Sequence, residues 1–164
     1  MLKLSEILDK IIIKQGQLIS YLIPILVIIT GFEVFARYVL SSPTVWGLEF
    51  TTFLFGIHFV MGFSYTEYFG GHVNVDIVSS RMSPKAQAIL WIAATVLFTL
   101  PVTALLIYGA IVYGYESVSI WERNSTAWTP YIWPVKLFIP AGFILLFMQL
   151  LSNVIKKINS LKTL

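Results

Sequence analysis

The residues able to do chemistry in this chain are few, and most sit beside long apolar runs. Glu33 and Arg37 lie four positions apart with the acid first, the favourable order for a helical ion pair. Glu49 and Glu116 are further acids next to apolar stretches, and His58 lies inside one. His72 and Asp76 share a polar stretch that also holds Arg81. An ionisable side chain in a membrane is a functional candidate by default. The competing reading has Glu33, Arg37, Glu49 and Glu116 shallow enough to stay hydrated. His72 and Asp76 alone make a weak metal site, because no third ligand accompanies them, and capping or interfacial hydrogen bonding is the simpler role. Only one histidine falls within an apolar run, which argues against haem held between facing helices; a neutral, hydrogen-bonded His58 at a helix contact fits better. With no cysteine, a disulfide framework, a thiol redox centre and thiolate-bound metal are excluded. Serine, histidine and aspartate never approach a nucleophile arrangement and no glycine-rich phosphate loop exists, so an enzyme has nothing to stand on.

The elements that must position these residues are membrane spans. Ala86 to Tyr115 runs thirty residues without Asp, Glu, Lys, Arg or His. About 20 apolar residues cross a hydrocarbon core, so this run spans one with tilt or overhang to spare. Pro101 at its middle predicts a kink. With 57% hydrophobic and 12% charged residues in 164, the whole chain falls in the integral-membrane class.

We expect an all-α fold of four transmembrane helices in a single membrane domain covering residues 1–164. The spans fall at about 17–40, 45–65, 84–115 and 134–155. Residues 1–16 repeat apolar positions at helical spacing, giving either an amphipathic helix on the membrane surface or a cytosolic extension of span one. Lys3, Lys10 and Lys14 ahead of an apolar run imitate a secretory signal, but no small-x-small cleavage site follows, so the run is expected to stay as an anchor. Pro24 is a second kink candidate. Ser42 is expected to cap span two with Pro43 at its first helical position, and Ser83-Pro84 to start span three. Within 66–84, Val73, Val75 and Ile77 alternate with polar residues, which suggests a short interfacial segment. Pro134 can open span four.

Lysine and arginine set the orientation. Lys3, Lys10, Lys14, Arg81, Lys85, Lys156, Lys157 and Lys162 fall on one side, and Arg37, Arg123 and Lys136 on the other. Both termini are therefore expected in the cytoplasm. The formal charge of +3, distributed in this way, points to membrane topology rather than nucleic acid. On the outer side Trp46, Trp121, Trp128 and Trp133 read first as an aromatic belt at the headgroup level. The 116–133 connection is also dense enough in aromatics to suit packing against another protein, with Trp121, Arg123, Trp128 and Trp133 as that surface.

In this order the chain resembles the small membrane subunit of tripartite ATP-independent periplasmic (TRAP) transporters, the DctQ-like family. The resemblance rests on Glu33-x-x-x-Arg37-Tyr38, then Pro43-x-x-Trp46-x-x-Glu49, then Gly71-His72-Val73-x-Val75-Asp76 with Arg81 after span two. Span four adds Trp133-Pro134-x-Lys136-x-x-Ile139-Pro140-x-Gly142, with Gln149 further on. The sequence departs from the family pattern where Phe50 replaces a second acid after Glu49, and where Glu67-Tyr68-Phe69 stands in place of a basic residue. The resemblance implies a subunit without cofactor in the inner membrane of a bacterium or archaeon. It implies two protein partners, a large multi-span permease holding the substrate and sodium sites and moving as an elevator, and a periplasmic solute-binding protein. It also makes Glu33, Arg37, Trp46, Glu49, His58, His72, Asp76, Arg81 and Gln149 candidates for helix or subunit contacts. The alternative is a four-span electron carrier or quinone-dependent enzyme using His58 and His72.

Overall fold

A computed structural model describes residues 2–72 and 82–161, and every element in them is helical. Helix α1 (Leu2–Ser20) runs into α2 (Leu22–Tyr38), and α3 spans Gly47–Tyr68. Helix α4 (Pro84–Ala94) continues through a π-helical turn (Thr95–Thr99) into α5 (Leu100–Ser119), and α6 spans Trp133–Leu161. These make four rods long and apolar enough to cross a membrane: 2–38, 47–68, 84–119 and 133–161. At 1.5 Å per residue the first and third are about 55 Å long, well beyond a hydrocarbon core of roughly 30 Å. Residues 2–16 are thus no separate element; they extend span one.

Prolines shape the rods in three different ways. Pro24 has no N–H for the carbonyl of Ser20, and the first rod breaks at Tyr21, directly after that residue. Pro101 sits at the start of α5, just after the π turn, where Leu100 N–H bonds the Thr95 carbonyl. The widened turn is how this helix accommodates the ring. At Pro84 the ring occupies the first helical turn, and Ser83 Oγ accepts from Ala86 N–H at 3.3 Å, as the sequence predicts. The expected Ser42 cap does not form. Helix α3 starts at Gly47, whose N–H bonds Thr44 Oγ1 at 3.0 Å, because Thr44 is held in place by Glu33. The alternating Val73, Val75 and Ile77, with Asp76 and Arg81, lie outside the described residues.

Helix α6 is the centre, packing against α3, α5, α1 and α4, while α2 leans mainly on α3 at the end that holds Glu33. Among the described residues the interior is mostly small or polar: Ser5, Ser64, Thr95, Thr103, Gln149 and Ser152 are buried along with Ala36, Ala88 and Ala110, with Ile12, Leu150 and Val154 as the larger apolar exceptions. The large apolar side chains face outward, Ile28, Phe98 and Leu105 each about 70% exposed. Lipid is as apolar as leucine, so nothing drives leucine inward, and helices meet where small residues permit close approach. Gly142 shows this most sharply, since a Cβ there would stand 2.7 Å from the Val60 carbonyl oxygen of α3. Gly142→Ala should therefore force α3 and α6 apart and cost roughly 1–3 kcal/mol. Gly56, which faces open space, serves as the control: thermal unfolding in detergent should show a lower Tm for Gly142→Ala and little change for Gly56→Ala.

Candidate functional site

At one end of the bundle the Glu33 carboxylate organises the join between the first two rods. Glu33 is buried while Arg37 is about half exposed, and Arg37 Nη2 donates to Glu33 Oε1 at 2.7 Å. The other carboxylate oxygen accepts from both the Thr44 backbone N–H, at 3.3 Å, and the Thr44 hydroxyl. Gly47 allows this approach, for a Cβ there would meet Glu33 Oε2 at 2.6 Å. Around the join, Trp46 stacks on Phe32 and meets Phe50 edge-on. Trp128 bridges Phe50 and Phe53, so the 116–133 connection is tied back to α3. Glu49 lies in the first turn of α3, and its Oε2 is buried with no hydrogen-bond partner among the described residues. Glu116 is exposed on α5.

The connection itself is a short return. Arg123 and Tyr131 form an antiparallel bridge, with Asn124 N–H bonding the Pro130 carbonyl and Ile132 N–H bonding that of Glu122. The Arg123 guanidinium also lies over the Tyr131 ring, 4.0 Å from its centre. Glu122 pairs with Lys136 on α6, and Lys136 also lies over the ring of Tyr113 on α5. The hydrogen bond from Lys136 holds the Glu122 carboxyl below the usual carboxylate range. The four residues grouped as a partner surface therefore divide. Trp121 and Arg123 face outward, whereas Trp128 and Trp133 are half-buried, Trp128 on α3 and Trp133 edge-on to Trp121.

The opposite end carries a polar seam that sequence reasoning missed except for Gln149. Asp9 of α1 accepts from Ser152 Oγ at 2.7 Å and Gln149 Nε2 at 3.3 Å, and pairs with Lys156, all three on α6. Gln149 Nε2 also donates to Asn153 Oδ1 at 2.9 Å, and Asn153 Nδ2 donates to Glu67 Oε1 of α3 at 2.9 Å. Ser152 Oγ lies 3.2 Å from the Ser5 carbonyl. The signal was present in the sequence: Gln149, Ser152, Asn153 and Lys156 fall on one helical face, as do Ser5, Asp9, Ile12 and Gly16. Gly16 packs against the Tyr65 ring and Ile12 is fully buried. Helix α1 thus packs its Ser5, Asp9, Ile12 and Gly16 stripe on the bundle and leaves Lys3, Lys10 and Lys14 exposed together with Leu4, Ile7 and Ile11, which is not the arrangement of a helix lying on a surface.

The histidines are apart. His58 Nδ1 is 3.3 Å from the Ile19 carbonyl oxygen, which can only accept, so the ring donates from that nitrogen. His72 Nε2 lies 3.3 Å from the Phe63 carbonyl and 3.8 Å from Glu67 Oε2. Among the described residues no three His, Cys, Asp or Glu side chains converge on a metal-sized position.

Residues 26–160 match the family described as "Tripartite ATP-independent periplasmic transporters, DctQ component". The chain belongs to the DctQ family. It is a small membrane subunit of a TRAP transporter and a transporter component, not an enzyme. The DctQ match covers the Glu33, Glu122 and Gln149 sites but begins after Asp9, so the α1 half of the seam lies outside it. No curated protein matches the chain.

Two measurements test these contacts. Glu33 holds both Arg37 and Thr44, while among the described residues Arg37 bonds to Glu33 alone. Glu33→Ala should lower Tm more than Arg37→Ala, and Thr44→Val should have no further effect once Glu33 is gone. For Glu122 the depressed pKa means that the ion pair stabilises above about pH 4.3, the unfolded carboxylate value, and is lost as pH falls through the lower folded value. Tryptophan emission should therefore show an acid transition of the connection below about pH 4, absent in Glu122→Gln.

Proposed function

We propose that this DctQ chain is a non-transporting scaffold. It would widen and anchor a large permease subunit that takes up an organic acid or related solute with sodium, the solute being delivered by a periplasmic binding protein. The observation that carries this reading is the family match over residues 26–160; DctQ components work with a large permease, DctM, and a periplasmic binding protein. Physical features support it. A secondary transporter needs a midplane site with converging polar groups. Here the ionisable groups among the described residues gather at the two ends of the rods, apart from His58, which already donates to the Ile19 carbonyl. The first rod adds an outward apolar flank along α2, where Glu33 and Ala36 are the buried residues, suited to a membrane-embedded partner or lipid.

The orientation we propose puts both termini in the cytoplasm of a bacterial or archaeal inner membrane. Lys3, Lys10, Lys14, Lys156 and Lys157 share one end, because Asp9 and Ser5 pack on α6 beside Lys156. The electron-carrier alternative, with His58 and His72 as ligands, is not favoured for a transporter component.

The test has two parts. Reconstituted alone in liposomes, the chain should give no sodium-driven uptake, and with its large subunit and binding protein uptake should appear; uptake by the chain alone would overturn the scaffold role. Alkaline phosphatase fused after Arg123 should be active and after Lys85 inactive, and the reverse pattern would refute the orientation.

A further inference from the structure

The seam end carries a groove that contacts among the described residues do not fill. A cleft of about 420 Å³ opens between the end of α3 and the end of α6, floored by Tyr68 and Trp91 and edged by His72, Lys156 and Lys157. A second cleft of about 270 Å³ shares Glu67, His72 and Trp91 with it and continues between the π turn and α6, past Thr95, Thr99, Leu146 and Leu150. From Leu146 to Lys157 is about 17 Å along α6, close to the depth of one leaflet. The groove therefore changes from charged and aromatic at its mouth, where Glu67 sits beside the lysines, to threonine and leucine side chains inside.

Charge at the mouth favours an anion. Glu67 is occupied, with Oε1 accepting from Asn153 and Oε2 facing His72. Lys156 is paired with Asp9 and lies over the Tyr68 ring at 5.3 Å. Lys157 is exposed over the Trp91 indole at 5.9 Å and forms no ion pair among the described residues. We propose that this groove holds one anionic phospholipid, its phosphate against Lys157 and Lys156 and one acyl chain along Thr95, Thr99, Leu146 and Leu150. A basic pocket between transmembrane helices at the headgroup level is the setting in which such lipids are bound, and an indole beside it supplies the amphipathic ring that sits at that depth.

Native mass spectrometry of the full chain, released from nanodiscs of equimolar dioleoyl-phosphatidylglycerol and dioleoyl-phosphatidylcholine, tests this. One phosphatidylglycerol should be retained in preference to phosphatidylcholine. Lys157→Gln should reduce that retention about fivefold, and Lys10→Gln, which removes an exposed lysine on α1, should leave it unchanged. Thr99→Phe, which fills the inner groove with both lysines intact, should reduce it as well, with Tm showing that the variant is folded. Millimolar inorganic phosphate should not displace the lipid. Equal retention of the two lipids, or an equal loss in Lys10→Gln, would overturn the proposal. So would full displacement by phosphate, which would mark a plain anion site, or retention unaffected by a folded Thr99→Phe.

Discussion

In hydrocarbon a polar group has no water to fall back on, and this constraint governs the molecule. Most polar side chains carried into the rods are met by one another or by a backbone carbonyl, Glu49 Oε2 being an exception, and the places where they meet across helices fix the arrangement. Glu33 is met by Thr44 and Arg37, which joins α2 to the start of α3. Asp9 is met by Ser152, Gln149 and Lys156, which joins α1 to α6. Asn153 then reaches Glu67 and draws in α3. Between these ends the helices touch through small residues such as Gly142, where packing alone sets the distance.

The same constraint explains the inverted look of the surface. Exposed leucine, isoleucine and phenylalanine cost nothing against lipid, so burial follows size and polarity rather than hydrophobicity. Helix α1 shows the consequence. Its stripe of Ser5, Asp9, Ile12 and Gly16 is drawn inward by α6 and α3, which leaves its lysines and its remaining apolar residues facing out. An amphipathic pattern that would lay a free helix on a membrane becomes, with a polar partner alongside, a packed extension of the first span.

For a DctQ subunit this distribution suits a static role. The polar groups are spent on holding helices together at both ends, and the middle of the bundle offers a solute little to recognise. What is left outward is apolar flank, an aromatic return carrying Trp121 and Arg123, and a cationic groove at the opposite end. These are surfaces for neighbours, protein or lipid.

The sequence by itself determined the four spans, the Ser83-Pro84 start and the Glu33–Arg37 pair, because each is a local matter of run length, capping chemistry or i,i+4 spacing. Its ordered motifs also reached the family. What it did not determine was which residues face each other across helices. Ser42-Pro43 looked like a cap, and only the long-range hold of Glu33 on Thr44 moved the start of α3 to Gly47. Trp128 looked free for a partner, and only the fold of the return set it against Phe50 and Phe53. Asp9 and Ser152 stand 143 positions apart, and no local pattern in either helix names the other. That pairing was decided by tertiary structure, because a polar stripe states that it needs a partner and the packing of the rods states which one.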